Sequence, residues 1–173
     1  MSKRSFATVA VTLALTLLAG VGGAGCAGDS PPPQPPLGSI PTDDLIYDHQ
    51  AAGFTLTFPP SWHDRYDVDA RSGPMAAAQW PLTSYAITFV YKPVEPDQPQ
   101  PELMTVLVYH RAGWEQIAAG PGAPGKVVAE HGDDVYVAAV ADSNPFPSGS
   151  QDAVNFNAMR LTTAEVKEAL TFR

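Results

Sequence analysis

The ten residues GFTLTFPPSW, 53–62, constrain the fold more than any other part of this chain. Phe54, Leu56 and Phe58 alternate with Thr55 and Thr57, the period of two expected of a strand with one buried and one wet face. Pro59 and Pro60 then stop it, because proline has no N–H to give to a ladder and fixes its own φ. Residues 61–64 must therefore turn, and the turn is predicted to fold Trp62 back over the core. His63 and the aspartates that follow read as a solvated corner, after which Tyr66 and Val68 can open a second strand.

The same periodicities map the rest of the chain. Residues 85–92 alternate Tyr85, Ile87, Phe89 and Tyr91 against smaller or polar neighbours, and 103–110 is apolar on both faces, which predicts a central strand. KPVEPDQPQPE joins the two as a long, exposed, mobile loop. A short helix is predicted around 114–118, then a break at GPGAPG, then a hairpin of 126–130 and 134–141 turned at HGD. Residues 75–80 read as a weaker strand. Gln151 to Met159 reads as a helical arm, and a terminal helix opens with a capping box at Thr162 and Glu165 and a staple of Leu161 on Val166. That helix presents Val166, Ala169 and Leu170 on one face. Strands through the middle and helices at the end predict an α+β domain over 42–173, with a central antiparallel sheet covered on one face.

The first forty residues speak to location. Lys3 and Arg4 precede an uncharged run whose apolar centre, 7–18, has the length of a signal-peptide core and is short for a membrane span. Gly23, Ala24 and Gly25 before Cys26 resemble the lipobox of bacterial lipoproteins, whose cysteine is lipidated and becomes the mature N-terminus, although Gly23 stands where leucine is usual. Cys26 is the only cysteine, so no internal disulfide can form. Two readings of it stand, lipidation or ordinary cleavage near Gly25 that leaves a free thiol. On the first, 1–25 is a signal peptide and 26–41 a lipidated cysteine followed by a proline-rich tether, extended at about 3 Å per residue. The resemblance implies a membrane-anchored lipoprotein of the cell envelope.

The charge narrows the partners. The 173-residue chain carries a formal -8, and removal of Lys3 and Arg4 with the leader leaves -10. Neither nucleic acid nor an anionic lipid surface suits such a chain, since both need clustered Lys and Arg. His49, His63, His110 and His131 fall at no metal-ligand spacing. His63 with Asp64 and Asp67, or His131 with Asp133 and Asp134, could in principle hold a divalent ion, but turns recruit these residues for local hydrogen bonds, so no metal and no cofactor is expected. Ser61 and Ser148 lie outside any GxSxG elbow, and GPGAPG lacks the order of a phosphate-binding loop. Adjacent Asp133 and Asp134 on a strand would point to opposite faces, so no catalytic residue is assigned.

The aromatics leave one binding possibility. Trp62, Trp80, Tyr85, Tyr91, Tyr109 and Trp114 either line a groove for an apolar, carbohydrate or peptide ligand or fill the core, and most lie in phase with buried positions. Trp62, Trp80, Tyr91 and Trp114 are the candidates for ligand contact.

Taken in order, Tyr47, GFTLTFPPSW, DDVYVAAVADS and a terminal helix ending ALTFR resemble exported bacterial lipoprotein domains that open with Gly-Phe-x-Leu-x-hydrophobic-Pro-x-x-Trp. The layout over roughly 45–173 is similar to the PsbP/Mog1-like fold. That resemblance implies an α-β-α sandwich used for binding and assembly, and it carries over no catalytic residue. The expected function is a lipid-anchored, non-catalytic envelope domain that binds a protein or small ligand. An envelope hydrolase with an unrecognised site and a metal-responsive accessory protein are the alternatives.

Overall fold

The computed structural model describes residues 45–95 and 97–173. The leader, Cys26 and the proline-rich stretch lie outside the described residues. The domain is α+β with two antiparallel sheets. A small sheet has the order β1 (Ile46–His49), β2 (Phe54–Thr57) and β8 (Leu170–Phe172), and a larger one the order β3 (Tyr66–Ser72), β4 (Thr83–Tyr91), β5 (Glu102–His110), β7 (Asp134–Val140) and β6 (Lys126–His131). Among the described residues four α-helices complete it: α1 (Gly73–Gln79), α2 (Arg111–Ala118), α3 (Gln151–Met159) and α4 (Thr163–Ala169). Among the described residues no helix is long and apolar enough to cross a membrane.

The opening stretch behaves as its pattern requires. Phe54 and Leu56 are fully buried and Phe58 nearly so. Pro59 and Pro60 end the strand, and a 3-10 turn at Pro60–Trp62 drives Trp62 inward to 0 % exposure. There it stacks on Phe58 at 4.2 Å and donates its indole N–H to the Met159 carbonyl at 2.9 Å, so the corner is tied to the end of α3. β5 is the central strand, buried from Leu103 to Tyr109 between β4 and β7. The main core lies between the sheets and under α3 and α4, where Ile87, Phe89, Met104, Val106 and Tyr136 meet Phe54, Leu56, Trp62, Phe156 and Val166. The capping box is present, with the Thr162 N–H donating to Glu165 at 2.7 Å and the Glu165 N–H returning to Thr162 Oγ1 at 3.2 Å.

Four expectations need correction. Residues 75–80 belong to a helix and its cap: Pro74 suits a first turn because it needs no N–H partner there, the three alanines that follow favour helix, and Ala76 is packed at 0 % exposure. The larger sheet is not covered on one face only, because α1 and α2 bring Ala76, Trp80, Trp114 and Ile117 against Ala86, Leu107, Tyr109 and Val137 on the opposite side. The C-terminal helix stops at Ala169; Leu170 leaves it to pair with Leu56 in β8, where it stays buried while closing the free edge of β2. The long loop after β4 is pinned at its start, since the Val94 N–H donates to the buried Asp152 carboxylate at 2.8 Å.

Candidate functional site

One end of the larger sheet departs from regular pairing. Between β4 and β5 the register steps from Thr83 opposite Tyr109 to Tyr85 opposite Val108, which leaves Ser84 as an extra residue. Thr83, only 4 % exposed, closes this bulge from inside: its hydroxyl lies 2.9 Å from both the Tyr85 and Val108 carbonyls. Leu82 just before it has φ 65°, a left-handed conformation that costs a side-chain-bearing residue about 1 kcal/mol. Gly113 of α2 packs against that turn, where an added Cβ would sit 3.4 Å from the Leu82 carbonyl oxygen.

On the neighbouring strands His110 ends β5 directly opposite Asp134, which starts β7. Imidazole Nδ1 stands 3.1 Å from an Asp134 carboxylate oxygen. Beside this pair lies an open cleft of about 680 Å³, lined among others by Ser72, Ser84, Tyr85, His110 and Asp134. Among the described residues the hydroxyls of Ser72, Ser84 and Tyr85 form no side-chain hydrogen bond, and no Lys or Arg lines the cleft. The two arginines next in sequence to lining residues are engaged: Arg71 on Asp69 at 2.6 Å and Arg111 on Glu130 at 2.6 Å. His49 meets the Tyr85 ring edge-on at 5.3 Å and accepts the Ala52 N–H on Nδ1. Burial lowers its pKa more than a hydrogen bond to its own backbone and the charge of Asp48 raise it, so His49 is a neutral wall beside the cleft.

Such an arrangement can recognise polar groups. It is lined by two serines, a tyrosine, an imidazole and a carboxylate that is 37 % exposed and meets His110 through one oxygen. Neither serine hydroxyl is hydrogen-bonded to His110, so the cleft holds no assembled nucleophile and base.

The residues singled out from sequence do not converge on one place. Trp62 and Tyr91 are at 0 % exposure inside the main core, and Tyr109 is at 1 % under α2. Trp80 and Trp114 are half-buried and pack with the second cluster, and of the six aromatics Tyr85 alone is among the cleft's lining residues. His63 contacts Asp64 at 3.1 Å, while Asp67 pairs with Lys92 at 2.8 Å. His131 stacks on Phe172 at 4.6 Å, Asp133 uses its carbonyl to accept the Arg111 N–H, and Asp134 faces His110 instead. Among the described residues no group of three or more His, Cys, Asp or Glu could hold a metal ion. Ser61 is bonded to the Ala158 carbonyl at 3.0 Å, and Ser148 lies exposed in the turn before α3.

Two features escaped sequence reasoning. The strands 103–110 and 134–141 were legible, but the pairing of His110 with Asp134 was not, because it depends on β5 and β7 being neighbours in this register. Asp152, 4 % exposed, carries no local signal beyond being a carboxylate in the first turn of a helix. Comparison of the chain with protein-family models, curated proteins and solved structures gives no significant match.

Proposed function

We propose that this chain is an exported, lipid-anchored domain of a bacterial cell envelope, related to the PsbP/Mog1-like fold, that binds a small polar ligand or an envelope protein without transforming it. The observation that carries the binding role is the cleft at the bulged end of the larger sheet, lined by Ser72, Ser84, Tyr85 and the His110–Asp134 pair without a nucleophile–base contact. The basic, apolar and small-residue order of the leader supports export, and Cys26 before a proline-rich stretch supports a lipid anchor with a spacer. The α+β class and its antiparallel sheets support the fold resemblance at the level of class.

The test uses the full-length protein in its own envelope against a Cys26→Ser control. Membrane retention lost in the variant, with a partner or ligand recovered only with the parent, is the expected result. Unchanged retention of the variant would refute the anchor. Turnover of an ester, peptide or glycan by the purified protein, with no partner recovered, would refute the binding role in favour of a hydrolase.

A further inference from the structure

We propose that the cleft beside His110 and Asp134 takes a small polyhydroxylated ligand bearing an ammonium group, by chemistry an amino sugar. This rests on the reading of the cleft as a binding site and adds the class of ligand. Ser72, Ser84 and Tyr85 line the same cleft, and no hydrogen bond of their hydroxyls is found among the described residues, so a ligand rich in hydroxyls can supply matching donors and acceptors. Tyr85, a lining residue, adds an aromatic ring of the kind that suits a sugar ring and a cation.

Charge separates the possible sugars. Asp134 contributes a carboxylate, Asp133 precedes it in the adjacent turn, and the nearby guanidinium groups of Arg71 and Arg111 are held on Asp69 and Glu130. An anionic ligand would meet a carboxylate with no Lys or Arg among the lining residues to offset it. An ammonium can take the Asp134 oxygen that His110 leaves open, in a charge-assisted hydrogen bond. With the Asp134 side chain 37 % exposed, the pair is partly screened, so the ammonium is expected to raise affinity about 5-fold over the neutral sugar.

The experiment titrates the full-length protein with glucosamine, glucose and glucuronate at pH 7 and one ionic strength, following the amide resonances of residues 83–85, 110 and 134. Glucosamine should bind several-fold more tightly than glucose, with glucuronate weakest. Asp134→Asn should bring glucosamine down to glucose, and His110→Ala, which releases the other carboxylate oxygen, should raise the preference. The melting temperature of each variant reports that it is folded. Equal affinity for glucose and glucosamine, or preference for glucuronate, would overturn the ammonium while keeping the cleft as a site. No shift at these amides with any of the three would overturn the inference and the cleft together.

Discussion

Asp152 offers the sharpest test of the energetics. Its carboxylate oxygen accepts the Tyr91 hydroxyl and the Val94 N–H, both at 2.8 Å, at a site where the residue is 4 % exposed. One side chain thus joins α3, the end of β4 and the loop that follows. Asp152→Ala would leave at least these two donors unpaired, at about 1–3 kcal/mol each, so a loss of roughly 4 kcal/mol is expected. Asp152→Asn retains an acceptor but not the charge and should lose about 2 kcal/mol, roughly 6 °C in Tm for a domain of this size. The pH dependence adds a second readout. Burial alone would raise the carboxyl pKa, but the hydrogen bonds from Val94, Tyr91 and Glu95 outweigh it and hold it below the ordinary range. A depressed folded-state pKa contributes stability that is fully present above the unfolded value and is lost as pH falls through the folded one. Thermal melts of parent and Asp152→Asn should therefore differ by a constant amount from pH 7 down to about 4, and the gap should close below that. An Asn variant that melts within 1 °C of the parent at pH 7, or a gap that widens in acid, would refute the reasoning. Tyr91 is the partner probe: burial first, then Asp152, raises its hydroxyl pKa to about 12, so it is expected to stay protonated in an absorbance titration until strongly alkaline pH.

Three further outcomes are expected. Trp62→Phe should cost about 1 kcal/mol through the Met159 carbonyl it leaves unpaired, and Trp62→Ala about 4 kcal/mol through the cavity beside Phe58, both measured by urea denaturation. Gly125→Ala should destabilise by at least about 2 kcal/mol, since a Cβ there, just before β6, would lie 2.3 Å from the Ala138 carbonyl oxygen on β7 and the backbone on one side must move. His49→Asn keeps an acceptor for the Ala52 N–H but cannot titrate. The folded pKa of His49 is lowered, so the parent should lose stability as pH falls from about 7 to 5, and the variant should lose less when melted over that range.

The sequence by itself determined what local physics determines. The alternation of Phe54, Leu56 and Phe58, the stop at Pro59 and Pro60, the turn that buries Trp62, the doubly apolar central strand and the Thr162 capping box are all read within a few residues. Each follows from a period, a missing N–H or a cap, and each is in the fold. Where two local signals competed, the choice fell to tertiary contacts. Residues 75–80 became helical because a buried Ala76 seals the second face of the sheet, and Leu170 left its helix because β2 had an unpaired edge.

Only the tertiary structure decided which distant residues meet. Whether strands form one sheet or two, whether His110 stands opposite Asp134, and whether Asp152 reaches both Tyr91 and Val94 depend on strand order and register. Those are set by how the whole apolar surface closes on itself, so no single stretch encodes them. The stretch richest in aromatics and charge, around Trp62, went into the core and its corner. The cleft formed instead where a bulge at Ser84 and the ends of β5 and β7 come together, at residues that carry no motif of their own.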